Sequence, residues 1–140
     1  MKTYGQDILA LLGRLLVAAI FVYGGIAKSM APAQFEQLMN AHHVSGHLLP
    51  LVIALELGGG IALVLGLLTR LVSVLLAAYS IAAIAIFLLP PANNMMLILV
   101  LAELGMIGGL VSYIAFGAGR LSVDEILFKK RGTRADPSGG

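Results

Sequence analysis

Residues Pro50–Leu89 read PLVIALELGGGIALVLGLLTRLVSVLLAAYSIAAIAIFLL, an apolar run broken near its middle by Thr69-Arg70. The two halves, Pro50–Leu68 and Leu71–Leu89, are each about 19 residues long. A helix of that length spans roughly 28 Å, close to the hydrocarbon thickness of a bilayer. Because a two-residue connection holds consecutive helices side by side, the run predicts an antiparallel pair of transmembrane helices.

Two further segments of the same kind, Ile8–Ala27 and Met95–Phe116, flank this pair. The whole chain is 59% hydrophobic and 11% charged, whereas a soluble domain carries about 25% charged residues. We therefore predict an all-α integral membrane protein, an antiparallel four-transmembrane-helix bundle. Residues 1–128 form this single domain, and residues 129–140 are expected to be a basic, flexible cytoplasmic tail.

Two short helices are predicted outside the spans. In the first loop, Pro32–Ala41 has three apolar residues at helical spacing, Phe35, Leu38 and Met39. This pattern predicts a short interfacial helix that partly covers the bundle. Past the last span, Ser122 and Glu125 have the spacing of a capping box for a helix over Val123–Lys129.

The basic residues indicate the orientation and the partners. Five of them follow the fourth span: Arg120, Lys129, Lys130, Arg131 and Arg134. Together with Lys2 and Arg70, they predict that both termini are cytoplasmic, because positive residues concentrate on the inner side. We expect this basic run to contact membrane lipids, and we expect no nucleic-acid partner.

Three charged residues lie inside the predicted spans: Arg14, Glu56 and Glu103. A charge at the centre of a membrane helix costs at least about 2.5–3.5 kcal/mol. We therefore expect these side chains to point inward, toward one another or toward a bound molecule.

Spacing and depth predict how these charges pair. Arg14, Phe21 and Lys28 are seven residues apart and share one helix face. Arg14 is expected to lie closer in depth to Glu103 than to Glu56, whereas Lys28 at the outer end of the first span can reach down toward Glu56. We therefore predict the pairs Arg14–Glu103 and Lys28–Glu56, with Arg14–Glu56 as the next choice. On the second span, Glu56 begins a second series at the same spacing, which continues through Leu63 and Arg70.

The inward polar groups have two interpretations. In the first, buried ion pairs only fix the arrangement of the helices. In the second, a polar pocket binds a lipophile. Tyr23 or Tyr79 can donate to a quinone carbonyl, and hydrogen bonds between helices are an equal alternative for both tyrosines. The candidate pocket residues are Arg14, Tyr23, Lys28, Glu56, Tyr79 and Glu103.

A second polar cluster, at the expected outer surface, consists of His42, His43 and His47. Two of these, His43 and His47, have i, i+4 spacing that suits Zn²⁺ or Cu²⁺ on a helix. Because Ser45-Gly46 interrupts any helix there, they are weak candidates for metal ligands, and solvated loop histidines are the favoured interpretation. Cysteine is absent, so this chain alone provides no thiolate ligand for a metal or an iron–sulfur cluster.

The order of these features resembles the DoxX family of small four-span bacterial membrane proteins. The residues that carry the resemblance are Gly13-Arg14-Leu15, Phe21, Gly24-Gly25, Lys28, Leu49-Pro50-Leu51, Glu56, Gly59-Gly60, Leu65-Gly66, Thr69-Arg70 and the ending Gly117–Asp124. The resemblance implies a four-helix bundle in the bacterial inner membrane. It also implies that Arg14, Lys28, Glu56 and Arg70 are the polar residues shared with the family.

The same resemblance links the chain to membrane redox systems, since the family takes its name from a subunit of a thiosulfate–quinone oxidoreductase. Two departures argue against redox chemistry in this chain itself. The third span ends Phe87-Leu88-Leu89-Pro90-Pro91 where relatives often have a histidine. The fourth begins Asn93-Asn94-Met95-Met96 where a Lys-Asn pair is typical.

The resulting hypothesis is a noncatalytic accessory subunit of a quinone-linked redox assembly. It holds a quinone or a lipid in the polar pocket, has no cofactor of its own, and associates with other membrane subunits or with copies of itself. One alternative is a small transporter or binding protein for a lipophile or metabolite. The other is a purely structural membrane subunit.

Overall fold

A computed structural model describes residues 4–134, and within that range all regular structure is helical. The α-helices are α1 Tyr4–Met30, α2 Pro32–Ala41, α3 Leu49–Leu65, α4 Thr69–Ala83, α5 Asn94–Phe116 and α6 Val123–Arg134. A 3₁₀ turn at Gly46–Leu48 leads into α3, and a π-helical segment at Ile84–Leu88 extends α4.

Four helices are long and apolar enough to cross a membrane, as predicted. They are Tyr4–Met30, Gly46–Leu65, Thr69–Leu88 and Asn94–Phe116. The first is longer than predicted at both ends, and the second ends three residues earlier, at Leu65, where Gly66 caps it with a left-handed backbone (φ 71°). The predicted class, an all-α four-span membrane protein, is confirmed.

The spans alternate in direction and pack mainly as two pairs, α1 against α3 and α4 against α5. Helix α3 also packs on α4, while α1 and α5 meet over a shorter stretch. Both the start of α1 and helix α6 lie at one end of the bundle, called here the termini end. Helix α2 covers the opposite end, called here the α2 end.

An apolar core at mid-height joins all four spans. Its buried residues are Ala18, Phe21, Leu63, Leu76, Ala77, Met106 and Leu110. Many large apolar side chains point outward instead, including Leu9, Leu16, Leu51 and Leu101, which are all more than half exposed. A soluble monomer rarely exposes so much contiguous apolar surface, so this surface is suited to lipid.

Both predicted short helices are present. Helix α2 has the predicted bounds, Pro32–Ala41, and its Met39 is buried. The Oγ of Ser122 accepts a hydrogen bond from the backbone N–H of Glu125 at 3.2 Å, as a capping residue does. Helix α6 continues to Arg134 and so includes the start of the segment predicted as a flexible tail. Residues 135–140 lie outside the described range.

The close approach of α1 and α3 depends on glycine. A Cβ atom added at Gly60 would lie 2.7 Å from the Cγ2 of Val22, and one at Gly25 would lie 2.6 Å from the Cγ of Leu57. Small residues at such contacts let helix backbones approach in lipid. By contrast, a Cβ added at Gly58 would meet nothing within 4 Å.

We therefore expect Gly60→Ala to destabilise the bundle, while Gly58→Ala serves as its matched control on the same helix. Overpacking at Gly60 should cost about 1–3 kcal/mol, whereas alanine at Gly58 should be neutral or stabilising by up to about 1 kcal/mol. Thermal unfolding of the purified variants in one detergent measures the difference. Equal melting temperatures for the two variants would contradict the α1–α3 contact.

Candidate functional site

A buried ion pair joins α1 to α3 near the α2 end. The Nζ of Lys28 donates to both carboxylate oxygens of Glu56, at 3.0 Å each. The hydroxyl of Tyr79, on α4, donates to Oε1 of the same carboxylate at 2.5 Å. Glu56 is only 4% exposed, so its charge is satisfied inside the protein. The predicted Lys28–Glu56 pair is confirmed.

Next to this pair lies a cavity of about 430 Å³. All four spans and α2 contribute to its walls, which are mostly apolar: Phe35, Leu38, Met39, Val52, Ile86 and Phe87 are among the lining residues. Its polar lining comes from the side chains of Lys28, Glu56, Tyr79, Ser80 and Glu103. Helix α2 therefore covers the bundle as predicted, and it covers a cavity.

Two of these polar groups have no partner within residues 4–134. Glu103, half-buried on α5, makes neither a hydrogen bond nor an ion pair. Ser80, 1% exposed on α4, has an Oγ without a hydrogen-bond partner. A buried polar atom left unpaired costs free energy, so these two groups are the ones available to a bound molecule.

The predicted partner of Arg14, Glu103, was wrong. The guanidinium is 1% exposed and points inward as expected, but it donates to two backbone carbonyls, at 3.3 Å to Ala118 and 2.6 Å to Leu121. It pairs with neither Glu103 nor Glu56. Arg14 does not line the cavity, and the nearest lining residue on α1, Ile20, is six residues away, about 9 Å along the helix.

The loop that receives Arg14 also holds the termini end together. Asp124 accepts hydrogen bonds from the backbone N–H groups of Leu68 (2.6 Å) and Thr69 (2.8 Å) at the start of α4. Its own N–H donates to the carbonyl of Gly66 at 3.0 Å. The ending Gly117–Asp124 thus links the ends of α3 and α5 to the start of α4.

Two other predicted polar residues lie away from the cavity. Tyr23 is 76% exposed on the outer surface of α1 and does not line the cavity. Arg70 is exposed and belongs to the start of α4. The series Glu56, Leu63, Arg70 therefore ends at Leu63, because α3 ends at Leu65.

The three histidines do not form a cluster. His42 packs its ring against Phe87, with centroids 4.9 Å apart, and its Nδ1 lies 2.9 Å from the carbonyl oxygen of Leu38. His43 has a left-handed backbone (φ 61°), and both His43 and His47 are exposed. In the part of the chain that the structure describes, no three His, Asp or Glu side chains lie close enough to hold a metal.

The sequence interpretation missed several buried polar groups, notably Ser80 and Asp7. Ser73 and Ser80 are both buried and seven residues apart. The series Arg14, Phe21, Lys28 has the same spacing, so periodicity could have identified the two serines. Asp7 is 5% exposed in the first turn of α1, where the helix dipole favours a carboxylate.

Comparison with known proteins agrees with this architecture. The DoxX family model matches residues 9–89, more than half of the chain. The chain belongs to the DoxX family. This DoxX-family protein is also 33% identical over 125 residues to the inner membrane protein YqjF of Escherichia coli strain K12, which covers 89% of this chain and 96% of that protein. No solved structure matches the chain.

These findings describe a multi-pass inner-membrane protein of the DoxX family. The match to the family includes Lys28, Glu56, Tyr79 and Ser80, while Glu103 lies beyond it. Chemically, the site combines a satisfied ion pair, an apolar wall and one carboxylate that lacks a partner.

The ion pair makes a prediction about stability. Lys28→Met leaves the buried Glu56 without its cation and should cost about 3–5 kcal/mol. The double variant Lys28→Met/Glu56→Gln removes both charges, keeps an acceptor for Tyr79, and should recover most of that loss. Thermal unfolding of the wild type, Lys28→Met, Glu56→Gln and the double variant completes a double-mutant cycle. Additive losses would show that the two residues do not interact.

Proposed function

We propose that this protein binds a lipophile in the cavity at the α2 end and serves as a noncatalytic accessory subunit of a quinone-linked redox assembly. The observation that carries the proposal is the cavity itself. Small-molecule sites in proteins are concave, mainly apolar, and contain a few well-placed polar groups. The cavity beside Lys28, Glu56 and Tyr79 has this composition.

Access from the bilayer supports a lipophilic ligand. Ile20 and Ile86 line the cavity and are 53% and 39% exposed on the outer surface. A molecule dissolved among the lipid tails can reach the cavity along these side chains without crossing water. The π-helical turn that contains Ile86 is a type of distortion that is frequent at functional sites.

The polar groups support binding rather than catalysis. Lys28, Glu56 and Tyr79 satisfy one another, so they shape the site and hold α1, α3 and α4 in place. The chain contains no cysteine, and Phe87 lies in the segment where relatives often have a histidine. The redox assignment comes from the family, and in this proposal the partner subunits supply the redox cofactor.

The proposed orientation follows from the basic residues. With both termini in the cytoplasm, the basic residues from Lys129 onward lie on the inner side, as positive residues do. The α2 end and its cavity then lie in the outer half of the membrane.

A small transporter or binding protein for a lipophile or metabolite is the second candidate, favoured by the unpartnered carboxylate of Glu103. This transporter would use the same cavity as the accessory subunit but would associate with different partners. A second copy of the chain, rather than redox subunits, completes its transport path.

Mass spectrometry of the complex, extracted gently from native membranes, distinguishes these candidates. Stoichiometric redox subunits together with a retained quinone are the expected result. A single chain or a homo-oligomer that retains another lipophile would favour the transporter. Extraction without any bound lipophile would contradict cavity binding.

Filling the cavity tests the site directly. Ala83→Leu places a larger side chain in the cavity lining, while Ala78→Leu places the same side chain on the exposed face of the same helix. We expect Ala83→Leu to lower the amount of retained lipophile at least about tenfold, equivalent to about 1.4 kcal/mol. Ala78→Leu should leave it unchanged, and quantitative lipid extraction from equal amounts of protein compares the two. Equal retention in both variants would place the ligand elsewhere.

A further inference from the structure

The charges that line the cavity do not balance. Lys28 contributes one positive charge and Glu56 one negative charge, and these two neutralise each other at 3.0 Å. Glu103 adds a second negative charge that has no ion pair within residues 4–134. With all three groups ionised, the side chains that line the cavity therefore carry a net charge of −1.

An unpaired carboxylate in apolar surroundings attracts a cation strongly. Coulomb interactions weaken with the dielectric constant, so a charge among apolar side chains acts at greater strength than one in water. The carboxylate also loses hydration in such a site, and a bound cation compensates for that loss. A neutral ligand supplies no such compensation.

Ser80 provides an independent sign that a ligand belongs in the cavity. Ser80 lines the cavity and is 1% exposed, and its Oγ has no hydrogen-bond partner within the described range. The aromatic rings of Phe35 and Phe87 are also among the walls, and aromatic faces attract cations. The Nζ of Lys28 already lies 5.2 Å from the centroid of Phe35.

We propose that the preferred ligand of the cavity is a lipophilic monocation, such as an apolar amine, quaternary ammonium or phosphonium ion, with Glu103 as its counter-ion. This inference rests on the proposed function, because it names the class of lipophile that the cavity binds. The apolar walls select against small hydrated cations, and Glu103 favours a cation over neutral and anionic lipophiles of similar size, although a neutral lipophile still binds through the apolar walls.

Two ions of nearly the same shape and opposite charge test the proposal. The full chain is reconstituted in nanodiscs of phosphatidylcholine, and binding of tetraphenylphosphonium is measured by equilibrium dialysis against empty nanodiscs. We expect saturable binding of one cation per chain, and no saturable binding of tetraphenylborate when it is measured in a separate dialysis. Equal binding of both ions, or binding of neither, would overturn the inference.

Variants then connect the binding to the carboxylate. Glu103→Gln keeps the shape and removes the charge, and should weaken tetraphenylphosphonium binding at least about tenfold. Glu36→Gln makes the same change on the exposed face of α2, outside the cavity lining, and should leave binding unchanged. An unchanged affinity in Glu103→Gln would overturn the assignment of Glu103.

Decylubiquinone, a neutral probe, separates this inference from the proposed function. If decylubiquinone binds and tetraphenylphosphonium does not, the cation proposal fails while lipophile binding stands. If neither probe binds, both proposals fail. Retention of decylubiquinone binding by Glu103→Gln shows that the variant is folded, so that its loss of cation binding reflects the missing charge.

Discussion

The ion pair between Lys28 and Glu56 is the interaction on which the α2 end depends. Hydrocarbon supplies no water to solvate a charge, so a partner within the protein stabilises a buried charge. One carboxylate here meets a cation from α1 and a hydroxyl from Tyr79 on α4. The carboxylate of Glu56 thereby connects α1, α3 and α4, while α5 makes no bond to it within the described range. The cavity lies beside this carboxylate, and α5 contributes Glu103 and Met106 to the cavity lining.

At the termini end, backbone atoms rather than charged side chains are the partners of the charged groups. Arg14 donates to carbonyls of the loop after α5, and Asp124 accepts from backbone N–H groups at the start of α4. Hydrogen bonds to charged groups are stronger than neutral ones, so a short loop can hold the ends of three spans. Arg14 and Asp124 are therefore satisfied by backbone atoms and form no ion pair within residues 4–134.

The sequence allowed the spans, α2 and the Lys28–Glu56 pair to be predicted, because hydropathy, length and seven-residue spacing all relate directly to helices. The partner of Arg14 could not be found in this way, since backbone carbonyls of an irregular loop leave no signal in residue type. The prediction for Tyr23 failed for another reason. Tyr23 follows Phe21 by two residues, about 200° around the helix, so the periodicity that placed Phe21 inside already placed Tyr23 outside.

The two parts of the cavity come from different parts of the chain. The ion-paired part, with Lys28, Glu56 and Tyr79, falls within the match to the DoxX family, whereas Glu103 lies on α5 beyond it. The ion-paired part holds α1, α3 and α4 together, and its two charges are paired with each other. In the second part, Glu103 makes no hydrogen bond or ion pair within residues 4–134. If the cavity binds a cation as proposed, replacing Glu103 would change its ligand preference while leaving the Lys28–Glu56 pair intact.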